Sequence, residues 1–317
     1  MKEYLLAALT AFSATLILTA LFIPVLRRWK AGQNILSYVQ EHKGKNGTPT
    51  MGGLAFTVVA IVCALAFSPT KERVLVVSCV IGGAYMAVGL LDDLLKKKHG
   101  KNLGLTALQK LAFQTLVAVF AGIFCVKEGL TALYVPFFGM KIDVGWWMLP
   151  LSVFVFLATV NAVNLTDGLD GLAAGVSAPF FGALGLILCI QKADDGLAFL
   201  SFALVGALLA YLVFNAPKAS LFMGDTGSLA LGGFASCVCL FSGNALYIPL
   251  VGIMFVVSVI TVAVQVIYYK ATGGKRVFLM SPVHHHFQQR GYAESKISYV
   301  YAVVTAAMGA VCLVALL

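Results

Sequence analysis

The sequence predicts an all-α polytopic membrane protein, and two observations carry that prediction. Of its 317 residues, 60% are hydrophobic and only 11% are charged, where a soluble domain is about one quarter charged. The apolar residues fall in blocks of roughly 16–25, the length at which a helix crosses ~30 Å of hydrocarbon. A helix satisfies its backbone polar groups internally, which lipid demands. The blocks show no period-two alternation, which excludes an outer-membrane barrel.

The predicted spans are Tyr4–Leu26, Met51–Ser68, Val74–Leu91, Leu105–Val126, Trp146–Val163, Leu172–Ile190, Leu197–Phe214, Gly227–Ser242, Ala245–Tyr269 and Ile297–Leu317, about ten transmembrane helices in all. Gly227–Ser242 is the shortest of them. The first block exceeds a signal-peptide core and ends at Arg27-Arg28 without a small-residue cleavage site, so it reads as a retained span. No linker, composition shift or internal repeat divides residues 1–317, which are expected to form a single transmembrane domain. The seven cysteines lie inside apolar blocks, with no C-x-x-C pair and no histidine beside them, and read as packing residues.

Lysine and arginine orient the chain. With N- and C-termini outside, sixteen of the 22 basic residues fall on inside segments and six on outside ones. The inside face then carries the whole net charge of +9, which suits topology and also a multiply anionic substrate. No nucleic-acid signal is present. On the outer side, Thr131–Phe137 and Lys141–Trp147 flank Phe138-Gly139-Met140 as a short outer β-hairpin.

The polar residues of the inside face form five groups. Carboxylates at a membrane boundary are costly to desolvate and mark function. Asp92-Asp93 ends the third span, with Lys96 placed beside them on a continuing helix; the pair suits Mg²⁺ or proton transfer. Asn161-Ala-Val-Asn164-Leu-Thr-Asp167-Gly-Leu-Asp170-Gly spaces amides and acids at three-residue steps, roughly on one face of a helix end. Asn215–Ser228 contains Gly224-Asp225-Thr226-Gly227-Ser228 at a helix start, the parts of a phosphate-plus-Mg²⁺ site, although Asp225 would also serve as a helix cap. Pro282–Phe287 carries His284, His285 and His286. Three consecutive histidines on a helix cannot all face one metal, so phosphate contact or proton handling is the expectation. Lys45–Gly53 is glycine-rich but lacks the Gly-Lys-Ser/Thr of a Walker A loop.

Taken together, Thr48–Gly53 (TPTMGG), Asp92-Asp93-x-x-Lys96, Asn164–Gly171 (NLTDGLDG), Asn215–Ser228 and PVHHHF resemble the polyprenyl-phosphate N-acetylhexosamine-1-phosphate transferases, in matching order over nearly the whole chain. TPTMGG and PVHHHF favour the branch with a muramoyl donor over the branch that uses UDP-N-acetylglucosamine. One departure is Leu36–His42 (LSYVQEH), where the family often has an Arg and a Gly-Pro pair. The resemblance implies ten spans with both termini outside. It also implies transfer of phospho-MurNAc-pentapeptide from UDP-MurNAc-pentapeptide to undecaprenyl phosphate, giving lipid I and UMP with Mg²⁺. That places the enzyme in the bacterial cytoplasmic membrane, with its site on the cytoplasmic face, in peptidoglycan synthesis.

On that resemblance, Asp225 is the first Mg²⁺ ligand, supported by Asp92 and Asp93, one of which deprotonates the acceptor phosphate. Lys45, Asn164, Asp167 and Asp170 address the donor phosphates and uridine, and Phe222 stacks on uracil. Thr50, Lys96 and Asn215 belong to the substrate-binding ring, which His284, His285 and His286 complete. Gly82, Gly83 and Gly89 suit close helix packing within the chain or in a homodimer. The alternatives are a UDP-N-acetylglucosamine transferase and, from another class, a cation-coupled transporter, which would place acids near the midplane and carry inverted repeats.

Overall fold

A computed structural model describes residues 1–29, 47–69, 72–99, 103–193 and 195–317. The helices are α1 (Lys2–Arg28), α2 (Gly53–Phe67), α3 (Arg73–His99), α4 (Ala107–Lys127), α5 (Met148–Thr166), α6 (Leu172–Gln191), α7 (Asp195–Asn215), α8 (Gly224–Phe241), α9 (Ile248–Val251), α10 (Ile253–Ala271), α11 (Val283–Gln289) and α12 (Glu294–Val314). Strands β1 (Ala132–Val135) and β2 (Met140–Asp143) form the hairpin. Among the described residues, nine helices are long and apolar enough to cross a membrane. The tenth predicted span is α2, whose 15 residues reach only ~22 Å at 1.5 Å per residue.

Both termini lie at the same end of the bundle. The Tyr4 hydroxyl, near the start of α1, donates to Asp195 at the start of α7 (2.8 Å). At the opposite end, α7 finishes at Asn215, which binds Gly171, and α12 begins at Glu294, which binds the neighbouring Asp170. The hairpin belongs to the terminus end, where the Tyr134 amide donates to the Gly243 carbonyl (2.8 Å).

Helix α8 is the centre of the fold. Its spanning stretch is 89% buried inside the protein, against 22% for α10, and it packs on α2, α3 and α5. Hydropathy ranked this span lowest because it is rich in small residues, and the small residues are why it lies in the middle. Between helices in lipid, close backbone approach replaces a hydrophobic driving force. A Cβ on Gly53 would strike the Gly227 backbone, one on Gly232 would strike Val160, and one on Gly89 would strike the Asp225 carbonyl. Gly82 likewise makes room for the Phe234 ring, whereas a Cβ on Gly83 would meet none of the described residues. Two of the three glycines expected to support close packing therefore do so within the chain. Aromatic contacts fill the larger gaps: Tyr85 of α3 stacks on Phe156 of α5 (5.7 Å), and its hydroxyl donates to the Gln114 carbonyl of α4 (2.9 Å).

Three boundaries differ from the sequence reading. Helix α3 does not stop at Leu91 but continues to His99, which carries Asp92, Asp93 and Lys96 on a rigid support. The predicted span Ala245–Tyr269 is broken into a 3-10 turn at Ala245–Tyr247, the short α9, and α10. Pro249 sits in the first turn of α9, where its missing amide is not needed, and Gly252 forms the break. The hairpin is shorter than expected, pairing Ala132 with Asp143 and Val135 with Met140, because Gly145–Trp147 turns into a 3-10 lead-in to α5.

Candidate active site

Four helix ends meet opposite the termini: the end of α3, the start of α4, the end of α5 and the start of α8. Helix α4 is started by a capping box, in which Thr106 accepts from the Gln109 amide (3.3 Å) and Gln109 accepts from the Thr106 amide (3.0 Å). That start puts Lys110 one turn into the helix, at the cluster.

Asp225 and Asp92 face one another across two ammonium groups. Lys96 Nζ lies 2.6 Å from Asp225 Oδ2 and 2.8 Å from Asp92 Oδ2. Lys110 Nζ lies 2.8 Å from Asp225 Oδ2 and 3.7 Å from Asp92 Oδ2. The Asn164 amide donates to Asp225 Oδ1 (2.6 Å) and to Ser228 Oγ (2.8 Å), and the Leu105 amide donates to Asp92 Oδ1 (2.6 Å). Lys96 is the open member of this cluster: its side chain is 32% exposed, against 18% for Lys110, 12% for Asp225 and 3% for Asp92. An anion approaching from the open side would meet the Lys96 ammonium first.

Asp93 points elsewhere. Its Oδ1 accepts from the Asp225 amide (3.2 Å), and its Oδ2 accepts from the Thr226 amide (3.0 Å) and the Thr226 hydroxyl (2.7 Å). It thus supplies, from α3, the cap that the start of α8 lacks locally, since Met223 gives no side-chain cap. A carboxylate at a helix N-terminus meets free amides and the positive end of the dipole. Gly224 permits the approach: its φ is +68°, and a Cβ there would collide with Asp93 Oδ2 and Thr50 Oγ1. Because Asp93 does the capping, the side chain of Asp225 is released into the charged cluster. Asp93→Ala is therefore expected to cost stability, about 1.5–3 kcal/mol for lost charged hydrogen bonds, read as a lower melting temperature in detergent. An unchanged melting temperature would remove the capping role.

Comparisons with known proteins give the family. Residues 74–243 match the family model described as Glycosyl transferase family 4, and residues 45–56 match Phospho-N-acetylmuramoyl-pentapeptide-transferase signature 1. The phospho-N-acetylmuramoyl-pentapeptide-transferase of Clostridium botulinum (strain Alaska E43 / Type E3) is 41% identical over 305 residues, covering 94% of this chain and 92% of the relative. That of Oceanobacillus iheyensis is 42% identical over 301 residues, covering 92% and 91%. That of Listeria monocytogenes serovar 1/2a is 40% identical over 292 residues, covering 90% of each. The chain belongs to the phospho-N-acetylmuramoyl-pentapeptide-transferase family.

Of the residues the sequence singled out for this family's chemistry, Asp92, Lys96, Asn164 and Asp225 come together in the cluster. Asp167 caps the end of α5 and is half-buried. Burial and then the charge of Asp225 push its carboxyl well above the ordinary carboxylate range. Thr50 lies over Gly224. The backbone of Phe222 is stitched to the glycine-rich loop, its amide donating to the Pro49 carbonyl and its carbonyl accepting from Gly52 (both 2.9 Å). Asn215 holds backbone at both ends of its amide, accepting from Gly171 (3.2 Å) and donating to the Leu221 carbonyl (2.9 Å). Asp170 accepts from the Ala219 amide (3.0 Å), so these two residues join the α5–α6 turn to the segment before α8. Lys45 and the divergent stretch Leu36–His42 lie outside the described residues.

The three histidines of α11 separate as helix geometry requires. His284 is sealed, with no hydrogen-bond partner at either ring nitrogen among the described residues, and burial pushes its pKa down to about 3. It is a neutral wedge against Gly168, which removes it from proton handling near neutral pH. His286 accepts the Leu279 amide at Nδ1 (3.1 Å) and so anchors the loop before α11. His285 reaches the same turn beside it: a Cβ on Gly168 would lie 2.8 Å from His285 Nε2 and nearer still to His284 Nε2.

Lys110, Thr226 and Ser228 are site residues for which the sequence reading gave no individual role. Thr226 and Ser228 were in a motif already marked. Lys110 had a legible signal in Thr106-x-x-Gln109, a capping box that starts the helix three residues before it.

Proposed function

We propose that this chain transfers phospho-MurNAc-pentapeptide from UDP-MurNAc-pentapeptide to undecaprenyl phosphate, releasing UMP and leaving lipid I, at the cytoplasmic face of the bacterial plasma membrane. The observation that carries this reading is the pair Lys96 and Lys110 bridging Asp92 and Asp225 at the mouth of the bundle. Phosphoryl transfer asks a protein mainly for positioning and charge neutralisation. Two ammonium groups suit a diphosphate, and a membrane setting suits a polyprenyl acceptor.

In the reaction, an oxygen of the acceptor phosphate bonds to the sugar-bearing phosphorus of the donor. The bond from that phosphorus to the bridging oxygen breaks, and UMP leaves with that oxygen. One anhydride replaces another, so no external energy source is required. Lys96 and Lys110 balance the charge of the bridging and leaving oxygens. Asp92 takes up the acceptor's proton in preference to Asp93, whose oxygens hold the start of α8. Asp167, Asp170, Lys45 and Phe222 are assigned to the uridine diphosphate, and His285 to the edge of the same ring.

The donor set fits Mg²⁺. Two carboxylate oxygens, from Asp92 and Asp225, already converge on one cation, the Lys96 ammonium, and Mg²⁺ sites use one or two carboxylates completed by substrate phosphates. Held by Asp225 and Asp92, Mg²⁺ would supply neutralisation of the diphosphate. A homodimer is part of the proposal, supported by the open surface at Gly83.

The test is UMP release by purified protein in detergent with undecaprenyl phosphate and a defined donor. UMP is expected from UDP-MurNAc-pentapeptide and not from UDP-N-acetylglucosamine. Release from the latter alone would move the chain to the other branch, and release from neither would revive a transporter.

A further inference from the structure

A chain of hydrogen bonds runs from α12 to α11 and has a fixed direction. Glu294, at the start of α12, accepts at Oε1 from Gln288 Nε2 (3.0 Å) and at Oε2 from the Asp170 amide (3.3 Å). A carboxylate only accepts, so the nitrogen of the Gln288 amide must face Glu294. The oxygen of that amide therefore faces the other way, where it lies 3.0 Å from His285 Nδ1. An amide oxygen also only accepts, so Nδ1 must carry the proton. In the neutral ring Nε2 then has the lone pair, and Nε2 is the atom turned to the Asp167–Gly168 turn.

We infer that Gln288 and Glu294 are positioning residues that hold His285 in the Nδ1–H tautomer, with the Nε2 lone pair facing the Asp167–Gly168 turn. Any group that meets Nε2 of the neutral ring must be a hydrogen donor, such as a hydroxyl or an N–H, rather than a bare phosphate oxygen. Which ring nitrogen is protonated is set by the partner of the other, and here that partner is oriented by a carboxylate two steps away. Because Glu294 also holds the Asp170 amide, the same residue ties the ring to the turn it faces. His286 provides an internal contrast. A backbone amide donates to its Nδ1, which forces the opposite tautomer on the next residue of the helix.

The inference rests on the transferase reading only for its kinetic arm. Its main test is the ¹⁵N spectrum of the full chain in detergent, labelled at histidine, without substrate, and at a pH well above the ordinary imidazole pKa of about 6.5. A His285→Gln variant assigns the signals. The expected parent pattern is a protonated Nδ1 and unprotonated Nε2 for His285, and the reverse for His286. Gln288→Met keeps the shape of the side chain and removes the acceptor. It should mix or invert the His285 pattern, leave His286 unchanged, and lower kcat about tenfold with little change in KM, a factor worth ~1.4 kcal/mol. Glu294→Gln is a second variant, since an amide there cannot accept from both Gln288 and Asp170; it should mix the same two signals. A parent His285 protonated at Nε2, or a Gln288→Met spectrum identical to the parent, would overturn the assignment. A parent with the expected nitrogen pattern but no UMP release would count against the transferase reading and support the tautomer assignment.

Discussion

Asp225→Asn should insert and fold normally yet lose UMP release by roughly 10²–10³, the usual effect of removing one preorganised electrostatic contact with a transition state. The fold does not depend on the charge of Asp225, because Asp93 caps α8 through the Asp225 and Thr226 amides. What the substitution removes is the charge that gathers Lys96, Lys110 and Asn164. If Asp225 is the principal Mg²⁺ ligand, any residual activity should also require far more Mg²⁺. The measurement is UMP release against Mg²⁺ concentration, with melting temperature as the control for folding. Activity within about tenfold of the parent at ordinary Mg²⁺, equivalent to ~1.4 kcal/mol, would move the metal and the chemistry to Asp92.

Lys96→Met is expected to be nearly as severe, lowering kcat by roughly 10² or more. Its ammonium touches both carboxylates, at 2.6 and 2.8 Å, so without it Asp92 and Asp225 face one another with half their countercharge. Lys110→Met should cost less, because Lys110 is close to Asp225 only and stands 3.7 Å from Asp92. Lys96→Arg should not restore the parent rate, since a larger planar guanidinium with a fixed fork of donors cannot take the place of a compact ammonium between two carboxylates. Both methionine variants should stay folded, because methionine keeps the length and apolar stem of each lysine and Asp93, not these lysines, caps α8. The ranking is read from kcat for UMP release at saturating donor. Equal, near-parental rates for both would mean that the two lysines serve only to neutralise the acids.

Much of the site could be read from the chain because its chemistry is local. Asp92-Asp93-x-x-Lys96 falls on one helix, and four residues of an α-helix bring an acid and a base into contact whatever surrounds them. Gly224-Asp225-Thr226 announced a helix start bearing an acid. Division of labour among neighbours was not legible. Adjacent positions on a helix point about 100° apart, so Asp92 and Asp93 go to different partners, and His286 turns to the Leu279 amide while His284 and His285 meet Gly168. Which member of each set faces the site depends on where α8 and the α5–α6 turn lie. Lys110 is 115 residues from Asp225 in sequence, and only helix packing makes them neighbours.

Apolar block length and the positions of lysine and arginine were enough to determine a polytopic α-helical membrane protein with its polar loops gathered on one side, since lipid leaves the backbone no other solution. Motif order was enough to determine the family. The tertiary structure alone decided that the least hydrophobic span is the central one, because hydropathy measures preference for lipid and α8 meets protein on almost every side. It alone decided that Asp93 holds a helix while Asp225 is left to face the lysines. Capping requires free amides at a particular point in space, and no spacing along α3 reveals where the start of α8 will be.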